Sequence, residues 1–152
     1  SKELFDDAIK LAERGAFIDI TADEETFEWI SYYKKNNGDM SKLTISSDGN
    51  GSLPVFNDEG ELLGLGVAST RTLFEQIVKT IEAGDLTVEE VLRLVTTNTA
   101  EALKLESKGC IEEGRDADLL VLSKDTFEIE HVIAKGQHMV EDGKVIVKGT
   151  FE

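Results

Sequence analysis

Cysteine, histidine and basic residues are scarce in this 152-residue sequence, and no apolar run approaches the length of a membrane helix. The single cysteine, Cys110, excludes an internal disulfide and fits a reducing compartment, so we expect a cytoplasmic protein. Cys110 lies in a strand-like run, and we expect it to be a small buried side chain. Sixteen basic residues against 31 acidic ones give a formal charge of −15, which opposes binding to nucleic acid and anionic membranes.

The first two-thirds of the sequence alternates helical and strand patterns. The run KELFDDAIKLAERG predicts a helix that ends at Gly15 and buries one face. The runs AFIDIT (16–21) and LTISSD (43–48) are short, apolar and β-branched, as is typical of buried parallel strands. Residues 49–66 then predict a long, functional loop. The expected inward face of the first helix is Leu4, Ala8, Leu11 and Ala12.

Three further helices are predicted before the pattern changes. The first ends at Gly84, and Phe74, Val78 and Ile81 form its expected inward face. Thr87 and Glu90 have the spacing of a capping box that opens the second helix. The run NTAEALKL predicts a short third helix, which we expect Asn98 and Glu101 to cap.

From Gly109 onward the sequence predicts only strands, including a hairpin whose turn is Asp142-Gly143. We therefore expect an α/β segment followed by an all-β segment, with residues 1–106 in one domain and residues 107–152 in the other. Two parallel strands can neither close a barrel nor fill an open sheet, and a (β/α)8 barrel needs about 250 residues. The first segment is thus expected to be the C-terminal part of such a barrel, its last two strands and helices.

The stretch LTISSDGNGSLP (43–54) is the main candidate site, and one interpretation of it is a calcium loop. Asp48, Asn50, Ser52 and Glu59 occupy positions 1, 3, 5 and 12 of an EF-hand pattern, whose oxygen ligands suit calcium. However, Leu53 stands where the sharp turn requires glycine, and a β-branched run replaces the entering helix. Calcium binding is therefore the weaker hypothesis.

The second interpretation places Asp48 at the carboxyl end of a barrel strand, where this fold builds its active sites. Gly49 and Gly51 would let the backbone turn tightly there and leave room for a ligand. A purely structural role is a third possibility, in which the Asp48 carboxylate only caps the turn by accepting backbone N–H bonds.

A resemblance to a known family favours the catalytic interpretation. The segment ISSDGNGSLPVFNDEGELLGLGVA resembles the last barrel strand region of the isoaspartyl dipeptidases, also called β-aspartyl peptidases, of the amidohydrolase superfamily. LAERGAFIDIT resembles the preceding helix and seventh strand of that family, and GCIEEGRDADLLVL resembles the start of its C-terminal β-sandwich module. The terminal KGTFE resembles the end of the family's chain, so the resemblance covers essentially the whole sequence.

The resemblance implies a zinc-dependent, cytoplasmic hydrolase of β-aspartyl dipeptides, with two zinc ions and a homo-oligomeric assembly. Asp48 matches the family's metal-binding aspartate, which takes a proton from the attacking hydroxide and passes it to the departing amine. Ser52 matches a serine that contacts the substrate. A dihydropyrimidinase-like cyclic amide hydrolase and a non-catalytic scaffold are the competing hypotheses.

The other metal ligands that the family uses have no match in this sequence. It contains no His-x-His pair, and His131 and His138 lie in the predicted all-β segment at a spacing that is not typical of a metal site. We expect both histidines to be packed or surface residues. The 152-residue chain alone is therefore expected to bind zinc weakly or not at all and to be inactive.

Overall fold

A computed structural model describes residues 1–149, which divide into two compact units after Leu103. The sequence placed this boundary at residues 106 and 107. Residues 150–152 lie outside the described part, so only Lys148 and Gly149 of the terminal KGTFE stretch are included.

The first unit is built on two parallel strands, β1 (Ile18–Thr21) and β2 (Leu43–Ser46). They pair in register from Ile18 opposite Leu43 to Thr21 opposite Ser46, which confirms the predicted parallel pair. The helices around them are α1 (Lys2–Glu13), α2 (Thr26–Lys35), α3 (Arg71–Ala83), α4 (Val88–Val95) and α5 (Thr97–Ala102), with a 3₁₀ turn at Met40–Lys42.

The helices cover one face of the strand pair. Ile20, Leu43 and Ile45 point into a core whose fully buried members include Tyr33 and Val91. Since successive side chains of a strand alternate between its faces, Asp19, Thr44 and Ser46 lie on the opposite face. The strand pair is thus apolar towards its helices and polar on its other side.

The buried faces of α1 and α3 differ from the predicted ones. In α1 the buried positions are Ile9 and Ala12, whereas Leu4 and Leu11 are 67% and 49% exposed. Phe5 stacks on Trp29 of α2 with ring centroids 4.5 Å apart, and this contact selects the stripe at positions 5, 9 and 12 over the predicted one. Two overlapping stripes fit the sequence, and tertiary contacts decide between them.

In α3 the fully buried positions are Gln76, Ile77 and Thr80, while Phe74, Val78 and Ile81 are only half-buried. The helix ends at Gly84 as predicted, with a left-handed φ of 75°. The capping box of α4 is confirmed, because the Thr87 side chain accepts from the Glu90 N–H and the Glu90 carboxylate accepts from the Thr87 N–H.

The predicted long loop is wrong, because most of residues 49–66 form a β-hairpin. Strands β3 (Ser52–Phe56) and β4 (Leu62–Val67) pair antiparallel, with Ser52 opposite Val67. The turn is organised by Asn57, whose side-chain oxygen accepts from the backbone N–H groups of Glu59 and Glu61. Gly60 supplies the left-handed residue of this turn, with φ 82°.

The predicted cap of α5 is also wrong. The helix begins one residue before Asn98, which places Asn98 inside the helix with 1% of its surface exposed. Its amide group donates to the carbonyl oxygens of Met40 and Leu43, at 2.7 and 2.8 Å. Glu101 pairs with Lys42 at 2.7 Å instead of capping. Both side chains therefore tie α5 to the start of β2.

The second unit contains one antiparallel sheet of four consecutive strands. These are β5 (Leu119–Leu122), β6 (Ile129–Ala134), β7 (Gln137–Glu141) and β8 (Lys144–Val145). Asp142 and Gly143 join the last two with φ values of 48° and 71°, which confirms the predicted hairpin turn. A β-sandwich needs a second sheet, which residues 104–149 do not contain.

Cys110 is exposed, so the expectation of a buried side chain is wrong. It lies in an irregular segment before β5, and its Sγ is 3.8 Å from the Glu112 carboxylate. The neighbouring Ile111 is 88% exposed. The apolar residues around Cys110 suggested a strand, but this segment forms no strand in the described sheet, and the side chains of Cys110 and Ile111 are exposed.

An ionic cluster organises the GRDAD stretch at the start of this unit. The Lys108 ammonium group lies 2.8 Å from the Asp116 carboxylate and also binds the Asp118 carboxylate. Asp116 accepts in addition from the Ser107 hydroxyl, and Asp118 from the backbone N–H of Lys135. The hydrogen bonds from Lys108, above all, hold the pKa of both carboxyl groups below their usual range.

Removing the charge with Lys108→Met should therefore destabilise the chain in a pH-dependent way. Because the folded-state pKa values of Asp116 and Asp118 are lowered, the stabilisation is fully present above the usual carboxyl pKa of about 3.9 and is lost as pH falls further. Urea unfolding followed by circular dichroism should show a constant difference between wild type and variant from neutral pH down to mildly acidic pH. That difference should shrink in stronger acid. Lys124→Met, at an exposed position, is the control, and a difference that persists unchanged in strong acid would contradict the assignment.

Candidate active site at the end of strand β2

Asp48 follows the end of β2 by two residues and adopts a left-handed conformation, with φ 48°. Its side chain is exposed, and no described residue donates a hydrogen bond to its carboxylate. Only its backbone carbonyl is engaged, accepting from the Gly51 N–H at 2.8 Å. The carboxylate therefore does not cap the turn, and it is available to bind something else.

The turn after Asp48 is held tightly against the segment that follows β4. The Asn50 N–H donates to the Ala68 carbonyl at 3.0 Å, and the Ala68 N–H donates to the Gly51 carbonyl at 2.9 Å. A Cβ on Gly51 would lie 2.7 Å from the Asp48 carbonyl oxygen and 2.8 Å from its carboxylate. A Cβ on Gly49 would collide with the Thr70 methyl group. Both glycines are therefore required by close approach, which agrees with the predicted tight turn. The room for a ligand that they were expected to leave stays a prediction.

Ser52 begins β3 and is exposed. The turn joins the carboxyl end of β2 to the start of β3, so Ser52 lies on the same side of the unit as Asp48. Asn50, between them, is exposed as well and has φ 65°. The turn thus presents a carboxylate, an amide and a hydroxyl group within five residues.

The calcium-loop interpretation is wrong for this geometry. An EF-hand loop wraps its ligands around one point, whereas here Ser52 starts an extended strand that rises about 3.3 Å per residue away from Asp48. Glu59 lies in the turn at the far end of that hairpin, where its backbone N–H bonds Asn57. The predicted ligands at positions 1 and 12 therefore do not converge.

Sequence reasoning missed Asp19, which lies in the middle of β1 on the polar face of the strand pair. Its carboxylate accepts from the Thr44 hydroxyl at 2.6 Å and from the Ser46 hydroxyl at 2.5 Å. The available signal was an acidic residue inside an otherwise apolar strand, which is an unfavourable position for aspartate. A second signal was the pair of hydroxyl side chains, Thr44 and Ser46, at alternate positions of the next strand.

The residues present do not by themselves form a zinc site. Across residues 1–149, no group of three or more histidine, cysteine or acidic side chains is arranged to hold a metal ion. Zinc sites in enzymes use three protein ligands, and Asp48 could supply one. His131 and His138 lie in β6 and β7 with ring centroids 6.0 Å apart, and His131 Nε2 is 3.9 Å from the Asp142 carboxylate. The described residues therefore do not hold zinc without ligands from elsewhere.

No helix among residues 1–149 has the length and apolar character that crossing a membrane requires.

Comparison with solved structures gives matches over nearly the entire chain. A β-aspartyl dipeptidase from Fervidobacterium islandicum AW-1, solved in complex with β-Asp-Leu dipeptide, superposes with a TM-score of 0.86 at 39% identity and covers 99% of this chain. A second structure of β-aspartyl dipeptidase from that source gives a TM-score of 0.81 at 33% identity. The chain spans 40% and 38% of those two proteins. An N-acetylglucosamine-6-phosphate deacetylase from Pasteurella multocida, at 20% identity and a TM-score of 0.64, shares the fold.

Curated relatives match a shorter segment. Adenine deaminase 1 of Latilactobacillus sakei is 34% identical over 73 residues, which is 47% of this chain and 12% of the relative. Adenine deaminase 4 of Rhizobium meliloti is 33% identical over 81 residues, 52% of this chain and 14% of the relative. The sequence profile of the Amidohydrolase family matches residues 4–140. The chain therefore belongs to the amidohydrolase family.

Proposed function

We propose that the protein to which this chain belongs hydrolyses β-aspartyl dipeptides. The observation that carries this proposal is the match of 99% of the chain, at 39% identity, to a β-aspartyl dipeptidase with bound β-Asp-Leu. The free carboxylate of Asp48, at the end of a buried strand, supports a hydrolytic role. The dipeptide is a small molecule, and the charge of −15 on the chain opposes binding to nucleic acid.

The proposed architecture is the C-terminal part of a (β/α)8 barrel, in residues 1–106, followed in residues 107–152 by a β-module whose one described sheet would need a second sheet from outside the chain to form a β-sandwich. In such a barrel β1 and β2 would be the last two strands. Three features support this: parallel pairing, helices packed against one face, and polar side chains on the other face. Asp48 would then lie at the carboxyl-end rim, where barrel enzymes place their catalytic groups.

We assign Asp48 two roles in the complete site, metal ligand and proton carrier. As a base it would take the proton of the attacking water, and as an acid it would deliver that proton to the departing amine nitrogen. Ser52 would contact the substrate from the start of β3. A bound zinc ion would lower the pKa of the attacking water and polarise the scissile carbonyl group. We propose that the ligands other than Asp48 lie outside this chain, so the 152-residue chain alone should be inactive.

The test is a comparison of substrates with the product of the entire reading frame, supplied with zinc. We expect release of free leucine from β-aspartyl-leucine and much slower release from α-aspartyl-leucine. The two dipeptides differ only in which aspartyl carboxyl group forms the peptide bond, so a difference in rate reports recognition of the β linkage. Chelation of the metal should abolish the activity and zinc should restore it. Hydrolysis of neither dipeptide would exclude the proposed substrate, and equal hydrolysis of both would exclude a site that recognises the β linkage.

A second candidate is deamination of adenine, favoured by the 33–34% identity to adenine deaminases over about half of the chain. A dihydropyrimidinase-like opening of cyclic amides is a third candidate within the same family. Assays of adenine and dihydrouracil by ultraviolet absorbance, run beside the dipeptide assay, distinguish the three activities.

A further inference from the structure

The carboxylate of Asp19 joins the two central strands of the first unit through side chains. Its two oxygens accept separately, one from Thr44 at 2.6 Å and one from Ser46 at 2.5 Å. Hydrogen bonds from hydroxyl groups to an ionised carboxylate are about twice as strong as those between neutral partners. Asp19 stands opposite Thr44 in the ladder, so it reaches both hydroxyls only in this register.

This double contact fixes the register of β2 against β1. A shift by one residue would turn Thr44 and Ser46 to the helix-covered face and leave the carboxylate without either partner. The apolar face specifies the same register through Leu43 and Ile45, but those contacts lie at the start and middle of β2. The Ser46 contact lies at its end.

Asp48 depends on that end of the strand. Its own carboxylate accepts no hydrogen bond from a described residue, so its position follows from the backbone on either side. After Asp48 the backbone is held by the Gly51 N–H and by the pairing of Asn50 with Ala68. Before Asp48, the last contacts with the neighbouring strand are at Ser46, whose carbonyl accepts from the Ala22 N–H at 2.8 Å and whose hydroxyl binds Asp19. The Ser47 hydroxyl makes only a local contact, accepting from the Gly49 N–H at 3.1 Å.

We infer that Asp19 is a positioning residue for Asp48, acting through the Ser46 hydroxyl. This inference rests on the proposed function for its consequence in catalysis, but not for its structural part. Ser46 lies two residues before Asp48 and Thr44 four residues before it. Losing the Ser46 bond should therefore disturb Asp48, while losing the Thr44 bond should weaken the strand pair without displacing Asp48.

The experiment compares Ser46→Ala with Thr44→Val in the product of the entire reading frame. Each removes one hydroxyl bond to the Asp19 carboxylate, and Thr44→Val also removes a longer contact, 3.3 Å, to the Ile18 carbonyl, so it is the harsher change of the two. Hydrogen exchange of the Asn50 and Gly51 amides, measured by mass spectrometry, reports on the Asp48 turn. We expect Ser46→Ala to accelerate their exchange about tenfold, the effect of one lost bond to a charged group. Thr44→Val should leave it within about twofold of wild type. Ser46→Thr restores a hydroxyl and should restore protection.

The kinetic readout follows the same order. Ser46→Ala should lower kcat for β-aspartyl-leucine about tenfold with KM nearly unchanged, because the substrate contact of Ser52 is retained. Asp19→Ala, which removes both acceptor oxygens, gives a second variant and should act like Ser46→Ala. Equal effects of Ser46→Ala and Thr44→Val on exchange would overturn the inference and leave Asp19 a general stabiliser. If the wild type does not cleave the dipeptide, the proposed function fails, and the exchange result still decides the positioning role.

Discussion

Asp48→Asn is expected to lower the hydrolysis of β-aspartyl-leucine by about 10²–10⁴-fold, the range associated with loss of a positioned acid–base group. Asparagine has the size of aspartate but cannot accept the proton of water or hand it to the departing amine. The measurement is kcat/KM for leucine release by the product of the entire reading frame. The loss should appear in kcat, since the amide cannot replace the carboxylate in the reaction itself.

The same substitution should leave folding unchanged. The Asp48 carboxylate is exposed and accepts no hydrogen bond from residues 1–149, so unfolding should shift by less than about 0.5 kcal/mol. Asp58→Asn, in the exposed turn of the β3–β4 hairpin, removes an equal charge away from the site and should keep full activity. An Asp48→Asn protein that hydrolyses the dipeptide at the wild-type rate would remove Asp48 from the mechanism.

Features governed by neighbouring residues could be predicted from the sequence. The capping box of Thr87 and Glu90 needs only residues three apart, and the Asp142-Gly143 turn needs two adjacent left-handed residues. The two parallel strands followed from short β-branched runs bounded by turns. Asp48 was found because it follows such a strand directly and precedes two glycines.

Features governed by distant contacts could not be predicted in this way. The hairpin was taken for a loop because its apolar residues alternate poorly, and the turn depends on Asn57 bonding residues two and four positions later. Asn98 looked like a cap because asparagine favours that position, yet its partners are carbonyl groups more than fifty residues earlier. The role of Asp19 likewise needs the register of β1 against β2, which only the folded strand pair supplies.

Asn98→Ala should be strongly destabilising, by about 2–4 kcal/mol, the effect of breaking a buried polar contact. Asn98 is 1% exposed, and its amide group donates to the carbonyl oxygens of Met40 and Leu43 at 2.7 and 2.8 Å. Alanine would leave both carbonyls without this donor and a gap between α5 and the start of β2. Trp29 is the only tryptophan, so its fluorescence during urea unfolding reports on the first unit.

Two further variants separate the lost hydrogen bonds from the lost volume. Asn98→Asp keeps the shape but turns a carboxylate oxygen towards two carbonyl oxygens, so at neutral pH it should destabilise at least as much as alanine. Asn36→Ala removes an amide-to-carbonyl bond of similar length, 2.8 Å to Tyr32, at an exposed position, and should shift unfolding by less than about 0.5 kcal/mol. If Asn98→Asp were as stable as the wild type, the two carbonyl contacts would not hold α5 to β2, and filling the space would be the only role left for Asn98.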